Sequence, residues 1–507
     1  MCGICGELRF DGQAPERDTL GRMTSALARR GPDGSGEYLD RPVALGHRRL
    51  AVIDLSERSA QPMVDKVAGL ALVFNGTIYN YPELRRELKA LGHHFVSDGD
   101  TEVILRAYAE WGEDCPEHLY GIFAFAIWDG RRQLLFLARD RFGIKPLYYS
   151  FTRHGIRFAS TSQALLAAGG LDTGIDPVGL HHHLTLHAVV PAPRTLLRGL
   201  RKLAPGHCMT VTPQRRSAVR RYWELDVANC RQQLTEWEWI EAVHETLKQA
   251  IRKRLEIADV PVGLLLSGGL DSSLLVAMLA EAGCNELLTF SVGFEDEPEE
   301  QGNEFQYSDL VAELYGTRHH RFTIHNSEVL ARLPEAVDNM AEPMVSQDAV
   351  AFYLLGERVS QQVKVVQSGQ GADEVFGGYF WYPQMQAATG TDIERFAPRY
   401  FDRSHEELER VVDARYHGPD YTTPRVAHGL ARFRTDRFIN RVLAFDVTTL
   451  IVDDPVKRVD NMTMAWGLEA RVPFLDQHLV ELVACMPPEV KLRSGGKHPL
   501  KIISRGL

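Results

Sequence analysis

The residues best placed to do chemistry lie at two points of the chain. Residues 262–273 read Val-Gly-Leu-Leu-Leu-Ser-Gly-Gly-Leu-Asp-Ser-Ser, an apolar run, two glycines, then small hydroxyl residues around an aspartate. This is the pattern of a strand, a tight turn and a helix start. Glycine lets the backbone turn sharply and approach a ligand. Ser267, Ser272, Ser273 and the unpaired amides of the helix's first turn then aim donors at one spot. The result is an anion cradle whose natural guest is phosphate. It lacks the Gly-Lys-Ser/Thr ending of a Walker loop, which argues against γ-phosphate transfer. The second point is Cys2, directly behind the initiator methionine. Removal of that methionine leaves a thiol and an α-amine on one residue, and an α-amine with an ordinary pKa of about 7.7–8.0 can take the thiol proton. One residue then supplies nucleophile and base. An inert buried thiol is the other reading of a cysteine at this position. Cys5 completes a Cys-x-x-Cys, but no second pair follows at zinc spacing, so metal or redox use of it is not expected.

Those residues need elements to hold them. At 507 residues the chain has room for about two to four domains, and 44% hydrophobic content is that of a globular protein with a large core. A net charge of -10 gives no general attraction to nucleic acid or to an anionic membrane. No apolar run approaches the roughly 18 residues of a membrane span, and the start of the chain lacks a signal-peptide centre, so a cytoplasmic protein is expected. Seven scattered cysteines, an odd number, predict reduced thiols. Residues 121–129 and 137–149 read as two buried strands, with Arg139 and Asp140 as a structural ion pair. His181, His182 and His183 follow the helix start Asp176-Pro177 and, facing different ways, read as solvated surface. The polar stretch 202–220 marks a link, with the boundary placed near 215 and domains at 2–215 and 216–507. Beyond Trp237 the spacing of Ala242, Leu247, Ala250 and Ile251 predicts a helix that feeds the strand of the cradle. Apolar runs at 287–294 and 363–367 alternate with helical stretches, which implies a doubly wound parallel sheet with ligands at the carboxyl ends of its strands.

In the first half, Cys2 is followed by Arg30-Gly31-Pro32-Asp33, Gly46-His47-Arg48-Arg49-Leu50 with Ile53-Asp54, Phe74-Asn75-Gly76-Thr77-Ile78-Tyr79-Asn80 and Gly99-Asp100-Thr101-Glu102. In this order they closely resemble the glutaminase domain of class II glutamine amidotransferases, an N-terminal-nucleophile αββα fold. The resemblance implies Cys2 as nucleophile, Arg49 as a fork for the glutamine α-carboxylate, Asp100 as partner of its α-ammonium, and Asn75 with the Gly76 amide as oxyanion hole. Asn-Gly is also the commonest hairpin turn, and Arg49 could form a surface ion pair. Thr77 stands where the family often carries glutamate.

In the second half, Ser267-Gly268-Gly269-Leu270-Asp271-Ser272-Ser273 resembles the pyrophosphate loop of the ATP pyrophosphatases (adenine nucleotide alpha hydrolase-like proteins). Ser368-Gly369-Gln370-Gly371-Ala372-Asp373-Glu374 and Glu469-Ala-Arg-Val-Pro-Phe-Leu-Asp476 extend the resemblance to glutamine-dependent asparagine synthetases over nearly the whole chain. It implies that Leu266, Val292, Ser368 and Gly369 contact adenosine and that Ser267, Gly268, Gly269, Asp271 and Ser272 surround pyrophosphate. Asp271 and Asp373 would hold magnesium, and Lys497 would neutralise the leaving pyrophosphate. Glutamine, ATP and a carboxylate acceptor are the implied substrates, with ammonia passing through an internal tunnel to an acyl adenylate. A homodimer is compatible with the sequence. Relatives continue for several dozen residues past the position of Leu507.

Gln370 departs from the asparagine synthetases, which carry glutamate there. Glu304-Phe305-Gln306-Tyr307-Ser308-Asp309, the stretch 342–353, and Gly377-Gly378-Tyr379-Phe380-Trp381-Tyr382-Pro383 resemble the N-acetylglutaminylglutamine amidotransferase subgroup, which makes an osmoprotectant. Its acetylated dipeptide has no α-ammonium for a glutamate to pair with. Aromatic side chains at 380–382 could stack on peptide groups or belong to the core. The two expected acceptors are therefore N-acetylglutaminylglutamine and, second, aspartate.

Overall fold

Burial on both faces of its strands explains the layers of the first half. In Leu70–Ile78, Leu72 and Phe74 join one apolar cluster with Leu84, Leu88, Val103 and Ile104 of the helices Tyr81–Ala90 and Asp100–Trp111. Ala71 and Val73 point the other way and meet Ile4, Leu8, Val43 and Leu45. A strand with two apolar faces needs a cover on each, here helices on one side and a second sheet on the other. The first sheet runs, in spatial order, Arg201–Lys202, Tyr148–Phe151, Gly155–Ala159, Gly3–Arg9, Val43–Arg49, Gly34–Asp40. The second runs Ser217–Arg221, His207–Val211, Leu134–Arg139, Gly121–Asp129, Leu70–Ile78, Met63–Asp65. Helices Arg17–Ala26 and Ser162–Ala168 pack on the outer face of the first sheet, which completes the αββα order.

The computed structural model describes residues 2–228, 230, 234–284, 286–295, 302–344 and 348–507, so Val345, Ser346 and Gln347 of the quoted stretch 342–353 lie outside the described residues. The chain divides into two units, one made of 1–179, 191–224 and 464–467, the other of 180–190, 225–463 and 468–507. The link expected near 215 falls before a strand: Ser217–Arg221 pairs with His207–Val211, and the second sheet carries the first unit on to Glu224.

The second unit holds a five-stranded parallel sheet in the order Arg318–Ile324, Leu288–Phe294, Val262–Leu265, Val365–Gln367, Glu469–Arg471. In chain order this is 3-2-1-4-5, so the direction of winding reverses between Val262–Leu265 and Val365–Gln367. Helix Glu236–Glu256 precedes the first of these strands, opened by a capping box in which Thr235 and Glu238 bond each other's backbone.

Three further expectations are corrected. Arg139 and Asp140 tie down backbone: Arg139 donates to the carbonyls of Lys145, Leu203 and Gly143 at 2.6–2.8 Å, and Asp140 accepts from the amides of Phe142, Ile144 and Lys145. His181 and His182 are buried, because both rings share hydrogen bonds with Thr422 Oγ1 at 2.7 and 3.0 Å. The cysteines are not all reduced: Cys230 and Cys485 form a disulfide with Cα atoms 5.1 Å apart, a distance that fits such a bridge.

Candidate active sites

Cys2 enters the strand Gly3–Arg9, which lies inside its sheet with neighbours on both sides, and is 7% exposed. Its backbone nitrogen donates to Asn75 Oδ1 at 2.9 Å, and its Sγ lies 3.9 Å from the Leu50 carbonyl oxygen. Asn75 and Gly76 form no hairpin turn; they pair with Ala124 and Phe123 within the long strand Leu70–Ile78. Asn75 Oδ1 is thus engaged, while its Nδ2 is buried without a hydrogen-bond partner among the described residues. A buried orphan donor costs stability and calls for an explanation. Gly76 has φ +154°, and a Cβ there would come 2.1 Å from the Ile122 carbonyl oxygen, so no other residue fits.

Arg49 ends the strand Val43–Arg49 and is not a surface ion-pair partner. Its two terminal nitrogens donate to the carbonyls of Ser56 at 3.0 Å and Asp54 at 2.5 Å. Asp100 stands in the first turn of Asp100–Trp111, and its Oδ2 accepts from the Ile78 amide at 3.0 Å. Cys2, Arg49, Gly76, Thr77 and Asp100 together line a slot of about 30 Å³. Burial pushes the neighbouring His47 down to about 3, so that imidazole stays neutral and the strand Val43–Arg49 brings no second cation to the slot from it.

The other site sits at the switch point of the parallel sheet, where such folds place ligands. Leu266, Ser267, Gly269, Asp271 and Ser272 from the first crossover, Val292 from the next strand, and Ser368, Gly369, Gln370 and Asp373 from the loop after Val365–Gln367 line one cavity of about 250 Å³. Ser267 Oγ and Ser272 Oγ lie 3.0 Å apart, and the Gly269 amide donates to Ser267 Oγ at 3.3 Å. Gly268 does not line the cavity; its φ of +84° makes the turn, and a Cβ would lie 2.5 Å from that of Tyr307. Phe290, Ser291, Phe352 and Leu355 line it as well and escaped sequence reasoning. The first two adjoin Val292 at a strand's carboxyl end, and the last two are three apart on helix Asp348–Ser360, the only signals available.

Lys497 reaches this site from the far end of the chain. Its Nζ bridges Asp271 Oδ2 at 2.6 Å and Asp373 Oδ1 at 2.7 Å. Burial alone would lower its pKa, but the two carboxylates outweigh it and raise it above the ordinary lysine value. Asp271 Oδ1 is buried without a partner among the described residues. Two carboxylates converging on one cation, one of them with an oxygen to spare, are a donor set that fits magnesium bound together with phosphate oxygens.

A second cavity, about 410 Å³, is lined by Glu374 next to Asp373 in sequence and by Tyr379, Phe380, Trp381, Arg399, Asp446 and Arg458 among others. The aromatic run divides between surface and core: Phe380 is 70% exposed, whereas Tyr382 is buried and donates to Asp446. Trp381 Nε1, Arg399 Nε and Arg458 Nε are buried donors without partners among the described residues. Burial, then the Asp446 charge, raises the Glu374 carboxyl, and burial raises that of Asp446, so this wall is less negative than its acids suggest.

A buried cysteine at position 2 in an αββα unit, joined in one chain to a glycine turn on a parallel sheet, is the arrangement expected of a glutamine amidotransferase. The glutamine amidotransferase domain family matches residues 1–223, and the asparagine synthase family matches 242–507. Glutamine-hydrolysing asparagine synthetase 3 of Bacillus subtilis is 34% identical over 97% of this chain and 82% of its own length. Synthetase 1 of the same organism is 32% identical over 100% and 84%. A putative glutamine-hydrolysing asparagine synthetase of Mycobacterium bovis is also 32% identical, over 99% and 84%. The chain belongs to the asparagine synthetase family of glutamine-hydrolysing, ATP-dependent ligases. Among the described residues, no helix is long and apolar enough to cross a membrane.

Proposed function

We propose that this amidotransferase converts the terminal carboxylate of an N-acylated peptide to its amide, with N-acetylglutaminylglutamine as the leading acceptor and an osmoprotectant amide as product. The observation that carries the acceptor is Gln370 in the wall of the nucleotide cavity. A glutamine side chain neither takes a proton nor pairs with an ammonium, so this wall suits a substrate without a free α-amine. The neighbouring cavity supports the reading: its partnerless donors match amide oxygens, its rings suit peptide planes, and its volume lies in the range of ligand sites.

In the glutaminase unit the freed α-amine of Cys2 accepts the thiol proton, and Sγ attacks the glutamine amide carbon. Arg49 holds the α-carboxylate and Asp100 the α-ammonium. Asn75 Nδ2 and the Gly76 amide stabilise the tetrahedral oxyanion, a use that accounts for the orphan donor. Collapse releases ammonia with the proton carried by the amine, and water cleaves the glutamyl thioester to glutamate.

In the second unit an acceptor carboxylate oxygen attacks the α-phosphorus of ATP, pyrophosphate departs, and ammonia then displaces AMP to leave the amide. Leu266, Val292, Ser368 and Gly369 flank adenosine, while Ser267, Gly269 and Ser272 face pyrophosphate on the turn made by Gly268. Asp271 and Asp373 would hold magnesium, which supplies neutralisation of phosphate charge when bound. Lys497 adds a fixed positive charge at the same point.

Aspartate is the second reading, favoured by the names of the relatives. Mass spectrometry of products after incubation with glutamine, ATP, magnesium and either N-acetylglutaminylglutamine or aspartate separates the two. The dipeptide amide together with AMP is expected; asparagine alone would overturn the assignment.

A further inference from the structure

The glutamine slot has two halves, and one buried carboxylate outside it joins them. The half that faces a substrate carboxylate depends on Arg49, whose guanidinium is held by the carbonyls of Asp54 and Ser56. The half that faces an ammonium depends on Asp100, which follows Asp98 and Gly99 at a helix start. Asp54 grips both. Its Oδ1 accepts from the Ser56 amide at 3.1 Å and from Ser56 Oγ at 2.6 Å. Its Oδ2 accepts from Ser59 Oγ at 2.6 Å and from the Asp98 amide at 2.8 Å. The backbone at Asp54 has φ +45°, a conformation that costs energy in a non-glycine residue and persists where its surroundings enforce it. Gly99 packs so close that a Cβ would come 2.7 Å from Ser59 Oγ and 3.3 Å from the Asp54 Cβ. The two loops are thus in direct contact at this carboxylate. Burial alone would raise its pKa, but the hydrogen bonds from Ser56, Ser59 and Asp98 outweigh it and hold the group well below the ordinary aspartate value.

We infer that Asp54 is the positioning residue for the amino-acid head group of glutamine, fixing the distance between the Arg49 and Asp100 charges across the slot. The inference rests on the glutaminase reading of Cys2. It gains weight from Thr77: where a glutamate could have shared the ammonium, Asp100 is the only carboxylate among the described residues that line the slot, so its placement is not backed up. Asp54 does not line the slot and takes no part in bond making.

Replacing Asp54 by asparagine keeps the shape but substitutes an NH2 for one carboxylate oxygen, setting donor against donor at Ser56 or at Asp98. With the full chain, Asp54→Asn is expected to raise the KM for glutamine about 10–100-fold, the range that loss of hydrogen bonds to a charged group gives. The kcat for glutamine should stay within about threefold, since the thiol, Asn75 and Gly76 are untouched. Ammonia-dependent synthesis should be unchanged. Ser56→Ala removes the hydroxyl bond to Asp54 Oδ1 from a residue that does not line the slot, keeps the carbonyl that holds Arg49, and should raise the same KM less, in the same sense; it decides the matter if Asp54→Asn fails to fold, as shown by loss of ammonia-dependent synthesis. An unchanged KM, or a fall in kcat at constant KM, overturns the positioning role. Failure of the wild-type chain to hydrolyse glutamine overturns the glutaminase reading instead, so the two failures are told apart.

Discussion

The two candidate sites are built on opposite plans. At the first site the polar groups are gripped by backbone: Arg49 by two carbonyls and Asp100 by the Ile78 amide on the wall of the slot, and Asn75, which does not line it, by the nitrogen of Cys2. One side-chain donor of this set, Asn75 Nδ2, has no partner among the described residues, and the slot measures about 30 Å³. At the parallel sheet the charged groups grip each other, Lys497 between Asp271 and Asp373, and the cavities there measure about 250 and 410 Å³. The contrast follows from the tasks. A site for one small substrate can be set in advance by hydrogen bonds that need not change. A site that must take a tetra-anionic nucleotide and a second substrate keeps its charges balanced internally until ligands replace those contacts.

The sharpest way to break this comparison is to remove the proposed nucleophile. Cys2→Ala is expected to lower glutamine-dependent synthesis by at least about 10³-fold, in line with the loss of a catalytic nucleophile elsewhere. Synthesis from added ammonia should persist, because the thiol serves only the first unit. Parallel assays with the two nitrogen donors check this, and loss of both activities would show that the two plans are not separable.

Next in size is the orphan donor. Asn75→Ala should lower glutaminase kcat about 10²–10³-fold with little change in the KM for glutamine, the pattern of an interaction made only in the transition state. A change confined to KM would mean that Asn75 holds ground-state substrate. At the other site, Asp271→Asn removes one of the two carboxylates that meet Lys497. AMP release should fall on the order of 100-fold, the size of effect that follows loss of one electrostatic group from a reacting centre. Glutamine hydrolysis should continue, and normal AMP release would refute the metal role of Asp271.

The legibility of the two sites in the sequence differed for physical reasons. The cradle at 262–273 and the loop at 368–374 were readable because each completes its geometry locally, within a strand end, a turn and a helix start. The αββα layers of the first half were expected from the family resemblance of its motifs and not from a local pattern. What was not readable depends on meetings across long stretches of chain. Lys497 was expected at this site only through the family resemblance; it finds Asp271 across 226 residues, and no local pattern announces that two aspartates clamp it. Cys230 and Cys485 lie 255 residues apart, and counting cysteines could not pair them. The burial of His181 and His182 left no sign in their spacing, because the Thr422 hydroxyl that both rings share lies 241 residues beyond His181. Asp54 stood in the sequence only as part of the motif that carries the family resemblance, and its role was not readable there, since its donors Ser56, Ser59 and Asp98 come from two loops that only the fold brings together.

The smallest expected effect bears on the finest distinction, the acceptor. Gln370 lines the nucleotide cavity together with Asp271 and Asp373, so a carboxylate introduced there joins two others, and Lys497 already spans both of those. Two unit charges about 4 Å apart at an effective dielectric near 20 repel by about 4 kcal/mol, an upper figure before water and neighbours respond. A quarter of that is about 1 kcal/mol, a several-fold loss of affinity for an anionic acceptor. Gln370→Glu should therefore raise the KM for N-acetylglutaminylglutamine several-fold while leaving glutamine hydrolysis as it was. It should not create aspartate activity, because the second cavity, with Trp381, Arg399 and Arg458 on its wall, would be unchanged. AMP release measured with each acceptor in both proteins tests this. If the wild type adenylates aspartate efficiently and the dipeptide not at all, the neutral residue at 370 has another reason, and the aspartate reading replaces the peptide one.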